Sequence, residues 1–346
     1  MRVLILGGTI FLGRHLVRAL LAHGHNVTLF NRGRQSYLAP DGVEQLRGDR
    51  DGDLTALTGG RWDAVVDTCG YFPRQVSATT RLLREQTPIY AYISSVNQYA
   101  GFNAPGTDEK AASDTTVVVP NAALTSDTYG PLKSACEAEV LKEFEGGALI
   151  LRPGCMVGPE DQAHRFSYWV QRSAYSDPQL VPGQPNQLWQ IIDVRDVTDW
   201  LVRMLEEART GIYNVVGPNE PIDAQTLLAE MAAISGGHAT AIWVNTEFLE
   251  KISGGKRWLD LAEWSNLPKK HAFLYSIDNA RAVDAGLLFR PLHETINDAS
   301  NWLRQRPPRD NDAPDLDLER KILRQWTAGT PYQSSLGRLV RKLAWR

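Results

Sequence analysis

The stretch Val3-Leu4-Ile5-Leu6-Gly7-Gly8-Thr9-Ile10-Phe11-Leu12-Gly13 begins as a short apolar run and ends in a glycine-rich turn. Apolar residues at helical spacing follow over residues 12–21. A buried strand, a glycine turn and an amphipathic helix in this order are typical of the first βα unit of a doubly wound sheet. This stretch therefore predicts the fold class of the chain.

Further apolar runs repeat the alternation of strand and helix. Buried strands are predicted at Val27–Phe30, Val65–Asp67, Ile89–Ser94, Ala148–Leu151, Trp189–Asp193 and Ile212–Val216, with a helix at Val197–Glu207. Strands that alternate with helices form parallel sheets covered on both faces. The prediction is an α/β protein with a Rossmann-type doubly wound parallel sheet and a smaller C-terminal lobe.

The domain boundaries follow from where this alternation weakens. Residues 1–165 and about 187–217 are assigned to the Rossmann domain, and about 166–186 and 218–306 to a substrate-binding lobe. The segment Pro307-Pro308-Arg309-Asp310-Asn311-Asp312-Ala313-Pro314 is rich in turn formers and predicts a linker. Residues 307–346 are thus expected to be a linker and a basic amphipathic tail that docks on its own domain.

The bulk composition excludes several classes of protein. The net charge of -3 gives no overall field that would recruit nucleic acid or a membrane surface. The three cysteines fit no disulfide framework, and no apolar stretch is long enough for a membrane span. The sequence predicts a soluble cytoplasmic protein without a metal site, because His15, His23 and His25 have no carboxylate or cysteine near them in sequence.

The glycine turn has the features of a phosphate-binding loop. A dinucleotide pyrophosphate is bound by bare backbone N–H groups at a helix N-terminus. Gly7 permits the sharp turn and Gly13 permits close packing of helix on strand, while Ile10 replaces the middle glycine of the common motif. The residues predicted to hold the cofactor here are Gly7, Thr9, Ile10, Phe11, Leu12 and Gly13.

The end of the second strand predicts the choice between NADP and NAD. An acidic residue at this point accepts from the ribose 2′-hydroxyl of NAD, whereas arginine accommodates a 2′-phosphate. The chain has the uncharged Asn31 followed by Arg32 and Arg34. NADP(H) is therefore favoured, and NAD(H) is the alternative. Asp49 and Arg50, in the segment Gly48-Asp49-Arg50, are also expected to contact the cofactor.

Tyr129 and Lys133 lie one helical turn apart at the start of a predicted helix. A phenol is a poor acid at neutral pH unless a nearby cation stabilises the phenolate. Lys133 can supply that charge, and Ser95, at the end of the Ile89–Ser94 strand, can hydrogen-bond a substrate oxygen beside Tyr129. We predict that Ser95, Tyr129 and Lys133 form the catalytic set.

Taken together, these motifs resemble the short-chain dehydrogenase/reductase superfamily in its extended or atypical branch of NAD-dependent epimerase/dehydratase-like proteins. Within that branch, the chain is similar to the isoflavone-reductase-like and chloroplast stem-loop-binding-protein-like group. The matching segments follow the glycine loop in the order expected for that family. They are Ser94-Ser95-x-x-x-Tyr99, Tyr129-x-x-x-Lys133, Leu151-Arg152-Pro153-Gly154 and Ile192-Asp193-Val194-x-Asp196.

The resemblance implies a role for each matched residue. Tyr129 is the general acid/base, and Lys133 binds the nicotinamide ribose and makes Tyr129 a stronger acid. Ser95 orients the substrate. The remaining cofactor contacts implied in this way are Cys69, Gly70, Pro153 and Met156.

Departures from the family patterns narrow the range of substrates expected for this chain. Val96-Asn97 stands where sugar-nucleotide dehydratases carry Asp-Glu, and Trp189 stands where nucleotide-sugar epimerases often carry an arginine. Asn97 and Trp189 are retained as candidate substrate contacts. The leading prediction is an NAD(P)-dependent reductase or dehydrogenase acting on a carbonyl, alcohol or imine of a small, aromatic-type molecule.

Two other functions remain open at this point. One is a sugar or nucleotide-sugar epimerase with a keto intermediate and tightly held NAD. The other is an RNA-binding or cofactor-sensing protein without turnover, as the stem-loop-binding relatives imply, although only the basic tail supports it and nucleic acid is the less favoured partner. A homodimer is expected by resemblance.

Overall fold

The computed structural model describes residues 1–34, 40, 42–119, 122–218, 220–262, 264–265, 267–306 and 314–329. The chain divides into two units. The first unit comprises Met1–Met156, Ile191–Asn219 and Ser276–Phe289. The second comprises Val157–Gln190, Glu220–Tyr275 and Arg290–Arg346.

A seven-stranded sheet forms the centre of the first unit. Its strands are β1 (Arg2–Leu6), β2 (Asn26–Asn31), β3 (Glu44–Arg47), β4 (Ala64–Asp67), β5 (Tyr90–Ile93), β6 (Ala148–Pro153) and β11 (Gly211–Val215). They lie in the order β11-β6-β5-β4-β1-β2-β3, and each neighbouring pair is parallel. This is the doubly wound Rossmann-type arrangement that the sequence predicts.

Helices cover both faces of the sheet because the inner strands have apolar side chains on both sides. On one face α1 (Leu12–Ala22) packs against α5 (Val194–Glu206), and on the other α2 (Pro73–Leu83) packs against α3 (Ser126–Glu143). Each pair closes its own core with the sheet. The unit also contains α9 (Ala280–Asp284), which packs beside β11.

The second unit is built from two short strand pairs and several helices. The strands β8 (Gln179–Pro182) and β13 (Ala241–Val244) are parallel, and β9 (Leu188–Trp189) and β12 (Ile222–Asp223) are antiparallel. The helices are α4 (Arg165–Ser173), α6 (Ala224–Ser235), α7 (Thr246–Lys251), α8 (Lys256–Leu261), α10 (Leu292–Gln305) and α11 (Leu316–Gly329). Two further short strands of the chain are β7 (Cys155–Val157) and β10 (Ile191–Asp193).

The unit boundaries differ from the expected domains in two places. Ser276–Phe289 belongs to the first unit rather than to the substrate lobe, because Asn279 Nδ2 donates to the Val216 carbonyl and Trp200 Nε1 donates to the Ala285 carbonyl. Residues 157–165 and 187–190 group with the second unit rather than with the sheet domain. The predicted Trp189–Asp193 strand is split at Gln190 into β9 and β10.

Part of the predicted tail is the helix α11. It is anchored to the second unit by Glu319, which accepts from Arg172 Nε at 2.7 Å in a buried ion pair. Ile322 and Leu323 are buried on the same helix. Residues 307–313 of the predicted linker and residues 330–346 of the tail lie outside the described part of the chain. Within that part, every helix is too short or too polar to cross a membrane.

Candidate cofactor and catalytic site

The glycine loop leaves β1 in a conformation that only glycine adopts readily. Gly7 has φ of 100° and Gly8 has φ of 84°. A Cβ on Gly13 would lie 2.7 Å from the Gly8 Cα, so the start of α1 packs directly on the loop backbone. The loop and the first helical turn therefore form a cradle of bare backbone.

The N-terminus of α1 has no side-chain cap. Its N-cap residue is Phe11, which makes no capping hydrogen bond, and its first turn carries no acidic residue. By contrast, Thr125 caps α3 and Asp193 caps α5. The positive end of the α1 dipole and the absence of a capping side chain on Phe11 suit an anion at this point. The residues present thus fit the pyrophosphate of a dinucleotide, and Ile10 does not prevent it because its side chain is exposed at the loop tip.

Thr68, immediately after β4, fixes the position of the loop. Its hydroxyl donates to the Leu6 carbonyl at 2.8 Å and accepts from the Gly8 N–H at 3.3 Å. A Cβ on Gly7 would lie 2.6 Å from that hydroxyl oxygen. The sequence analysis missed Thr68, because no local pattern shows that a residue 60 positions away will support the loop.

The end of β2 presents two cations. Arg32 and Arg34 are exposed. The Asn31 side chain, in contrast, is used internally: its Oδ1 accepts from the Gly33 N–H at 2.8 Å, and its Nδ2 donates to the Gly7 carbonyl at 3.4 Å. Asn31 therefore shapes the turn that carries the two arginines and ties it to the glycine loop.

Arg50, predicted to contact the cofactor, lies in a buried ion pair. Its guanidinium forms two hydrogen bonds of 2.7 Å with the Asp67 carboxylate, and it also donates to Thr79. Both side chains of this pair are buried. Arg50 thus joins β4 to the loop after β3, and its contact with the cofactor stays a prediction. Asp49 accepts from the Asp51 N–H at 3.1 Å and shapes the same loop.

Cys69 and Gly70 follow β4 beside this pair. Burial raises the pKa of the Cys69 thiol, which keeps it protonated and poorly nucleophilic at neutral pH. The Gly70 carbonyl accepts from Tyr92 Oη at 2.8 Å and from Lys133 Nζ at 3.0 Å. The loop after β4 is therefore joined directly to the predicted catalytic lysine.

Lys133 is buried in α3 among aromatic rings. Its ammonium donates to the carbonyls of Gly70 and Ile93, the latter at 2.7 Å. The Nζ atom lies 6.0 Å from the centre of the Tyr129 ring. Burial lowers the pKa of Lys133 to about 8, so the group is cationic at neutral pH and has one further N–H to donate.

Gly130 brings α3 against the short 3₁₀ turn Val96–Gln98. A Cβ at this position would lie 2.2 Å from the Asn97 carbonyl oxygen, so only glycine allows the contact. Ser95 caps that turn, since its Oγ accepts from the Asn97 N–H at 3.2 Å. The Ser95 hydroxyl proton can therefore be donated, and the predicted set Ser95, Tyr129 and Lys133 is assembled on two elements in close contact.

A buried polar network, of which sequence reasoning found only part, joins α3 to β6 and to the segment that follows Ser95. Arg152 pairs with Glu137 at 2.7 Å and donates to Tyr99 Oη at 2.9 Å, and Tyr99 in turn donates to Asn214 Oδ1. The Ser94 hydroxyl also donates to Glu137. Arg152 and Tyr99 lie in the matched motifs. Glu137, which contacts Arg152, lies one helical turn after Lys133 in α3 and belongs to no motif.

The remaining predicted residues have different environments. Asn97 is exposed beside Gly130, Pro153 is buried at the end of β6, and the half-buried Met156 lies in β7, three residues beyond Pro153. Trp189 is fully buried in the second unit, where the centre of its ring lies 4.7 Å from the centre of the Trp264 ring. Its predicted role as a substrate contact is therefore corrected: it is a core residue of an aromatic cluster.

The predicted histidines do not form one group. His15 is buried and packs edge-on against the Phe11 ring. His23 and His25, in contrast, both contact the Glu206 carboxylate, so the expectation that no carboxylate lies near them is wrong. Glu206 comes from α5, which packs against α1, and sequence proximity gives no sign of it.

The pKa of Lys133 gives a stability prediction. Below pH 8 the folded protein keeps the Lys133 ammonium charged in its buried site, which lowers the free energy of unfolding. Between pH 8 and the ordinary lysine pKa of 10.5, only the unfolded chain keeps this proton. This contribution of Lys133 to stability therefore rises with pH across that window. The free energy of unfolding of Lys133→Met, relative to wild type, should fall by about 2 kcal/mol from pH 7 to pH 9.5.

Urea unfolding at the two pH values measures this difference. The matched control is Lys142→Met, on the exposed side of the same helix. Its difference from wild type should be the same at both pH values. A pH-independent difference for Lys133→Met as well would show that the buried ammonium is not destabilised by its surroundings.

Comparisons with known proteins agree with this arrangement. Residues 3–216 match the model of the NAD dependent epimerase/dehydratase family. The chloroplast stem-loop binding protein of 41 kDa b from Arabidopsis thaliana is 28% identical over 256 residues, which cover 68% of this chain and 63% of that protein. The 2'-dehydrokanamycin reductase of Streptomyces kanamyceticus is 23% identical over 279 residues, with 77% and 76% covered.

A solved structure shows the same fold. The UDP-glucuronic acid 4-epimerase from Bacillus cereus, in complex with NAD, superposes with a TM-score of 0.64 at 16% identity, covering 88% of this chain and 97% of that one. At this identity the likeness concerns the fold alone.

Proposed function

Because the chain belongs to the NAD-dependent epimerase/dehydratase family, we propose that it is an NAD(P)-dependent oxidoreductase acting on a carbonyl or alcohol carbon of a small molecule. The observation that carries the proposal is the buried Lys133 ammonium beside Tyr129, on the helix that Gly130 holds against the Ser95 turn. A buried cation next to a phenol is the arrangement that an acid/base tyrosine needs, because the cation stabilises the phenolate.

The bound cofactor supplies or accepts a hydride at the substrate carbon. In the direction of reduction, the Tyr129 hydroxyl gives its proton to the substrate oxygen, and in oxidation the phenolate takes that proton back. Lys133 stabilises the phenolate and uses its remaining N–H on the cofactor ribose. The Ser95 hydroxyl donates to the substrate oxygen and holds it against Tyr129.

We propose NADP(H) as the preferred cofactor. Arg32 and Arg34 stand exposed after β2, on the turn that Asn31 fixes, and the described residues of that turn, 32–34, include no carboxylate that would repel a 2′-phosphate. Titration of nicotinamide fluorescence should show tighter binding of NADPH than of NADH. Arg32→Ala should weaken NADPH binding about tenfold and leave NADH binding unchanged, because a charge-assisted contact contributes about 1.5–3 kcal/mol.

Lys142→Ala is the control for this titration, since it removes an exposed cation from α3 without touching the β2 turn. Equal loss of both cofactors in Arg32→Ala would place Arg32 outside the 2′-phosphate contact. Binding of neither cofactor by the wild type would remove the basis of the proposal.

The substrate class can be narrowed by a screen. The reductase relative is named for a keto derivative of an aminoglycoside, and the solved relative for a sugar nucleotide. A panel should therefore include keto sugars beside aromatic aldehydes and ketones, with NADPH oxidation as the readout. Turnover confined to one class would define the carbonyl that the site accepts.

An epimerase is the second candidate, favoured by the match to the NAD dependent epimerase/dehydratase family. An epimerase must return the same hydride to its substrate, so it keeps its cofactor through the cycle. Retention of NAD after purification of the native protein would support this candidate, whereas rapid exchange with added NADPH would support the reductase.

A binding protein for RNA is a third candidate, favoured by the name of the Arabidopsis relative. The test must spare α11, because Glu319 forms a buried pair with Arg172 and deletion from residue 316 would disrupt the second unit. Truncation after residue 330 removes basic residues of the tail and leaves that pair intact. Loss of salt-sensitive RNA binding on this truncation would support the candidate. The cytoplasmic location and the homodimer stay predictions.

A further inference from the structure

The His23-Gly24-His25 turn joins α1 to β2 in the first unit. It is fixed by two backbone hydrogen bonds that end the helix: the His25 N–H donates to the Leu20 carbonyl at 3.0 Å, and the Gly24 N–H donates to the Leu21 carbonyl at 2.9 Å. Gly24 has φ of 75°, as this type of helix ending requires. The two imidazoles are therefore held in place by the backbone.

Glu206, the last residue of α5, lies between these two rings. One of its carboxylate oxygens is 3.1 Å from His23 Nδ1 and 3.0 Å from His25 Nε2. The other nitrogen of His25 faces the amino group of Met1 at 3.2 Å. Glu206 and His23 are partly open to solvent, while the His25 side chain is 9% exposed. The three groups thus form a compact cluster with one open side.

The electrostatics of this cluster favour a cation. Glu206 is the last residue of α5 and His23 is the residue that ends α1, so the negative ends of two helix dipoles meet here. A carboxylate at a helix C-terminus is unfavourable by itself. A positive charge among the three groups would offset both effects, and the Met1 ammonium, 3.2 Å from His25 Nδ1, supplies part of that charge.

We propose that His23, His25 and Glu206 form a binding site for Zn²⁺. The three donor atoms lie within 4.8 Å of one another. Zinc at its usual 2.0–2.1 Å from nitrogen places tetrahedral ligands about 3.4 Å apart. The two distances from the Glu206 oxygen, 3.0 and 3.1 Å, need a few tenths of an ångström of opening, and the two imidazole nitrogens lie within 4.8 Å of each other. Imidazole and carboxylate are donors that zinc accepts, and the open side leaves a fourth position for water.

The position of this zinc site in the fold assigns it a structural role. His25 immediately precedes β2, at the amino end of the sheet, whereas the glycine loop and Ser95 follow strands at the carboxyl end. The ion would connect the end of α1 to the end of α5. Both helices pack on the same face of the sheet, so binding would resist their separation on unfolding.

Thermal unfolding of tag-free protein, with and without ZnCl₂, tests the proposal. At a hundredfold excess over its dissociation constant, Zn²⁺ should raise Tm by about 4 °C, and EDTA should reverse the rise. His23→Ala and Glu206→Gln should abolish the rise. His293→Ala, which removes an exposed histidine of the second unit, should retain it.

Cobalt provides a readout that does not depend on stability. Co²⁺ bound by the wild type should give the intense visible absorption of a four-coordinate nitrogen and oxygen site, and Zn²⁺ should displace it. The same spectrum in His23→Ala, or an equal Tm rise in all variants, would show that the metal binds elsewhere. No change in Tm and no cobalt spectrum in the wild type would overturn the proposal.

Discussion

Tyr129→Phe will lower kcat for the best carbonyl substrate of the screen by about 10²–10⁴-fold, because the variant keeps the ring and loses only the proton that the substrate oxygen needs. NADPH affinity should stay within twofold of wild type. The α3 helix keeps its packing, since Gly130 and Lys133 are unchanged. Steady-state kinetics with a parallel NADPH titration measure both quantities.

Tyr71→Phe is the control for this prediction. The Tyr71 ring also lies against Lys133, with Nζ 4.9 Å from its centre. Tyr71 is 37% exposed, but desolvation of its hydroxyl raises its pKa to about 12, so the hydroxyl is a poor acid/base near neutral pH. Its loss should change kcat less than threefold. A large effect of Tyr71→Phe with little effect of Tyr129→Phe would transfer the catalytic role to Tyr71.

Glu137→Ala will lower the free energy of unfolding by about 3–5 kcal/mol, because it leaves the Arg152 guanidinium buried without its carboxylate. Both side chains of this pair are 4% exposed. The Tyr99 hydroxyl and the Glu109 carbonyl still accept from Arg152, but neither carries a compensating charge. Urea unfolding at pH 7, followed by near-ultraviolet circular dichroism, measures the loss.

Two further variants locate the origin of that loss. The double variant Glu137→Leu with Arg152→Met removes both charges and should recover most of the stability. Asp260→Ala breaks the exposed pair with Lys256 and should cost less than about 1 kcal/mol. A loss for Glu137→Ala as small as for Asp260→Ala would mean that water reaches Arg152.

The sequence predicted the parts of the fold that depend on local apolar patterns. The predicted strands at Val3–Leu6, Val27–Phe30 and Ala148–Leu151 correspond to β1, β2 and β6 within two residues at each end. β3 was missed because Glu44, Gln45 and Arg47 are polar and the strand lies at the sheet edge, where no buried face imposes alternation.

Local apolar patterns do not predict interactions between residues that are distant in sequence. Arg50 follows a glycine and an aspartate, a context that suggests a cofactor contact, and only the fold reveals Asp67 as its partner. Glu137 lies in α3, 15 residues before its partner Arg152 in β6, and Glu206 lies 181 residues from His25. In each case the sequence specifies a charged side chain but not the charge that it meets.

The polar character of β3 has a consequence for association between copies of the chain. An edge strand with free backbone N–H and C=O groups can recruit a strand of a second molecule and start aggregation. Here the exposed Glu44, Gln45 and Arg47 discourage such pairing, and at the opposite edge α9 packs beside β11. We therefore expect that two copies would not join by extending their sheets, and that any homodimer would form through helices.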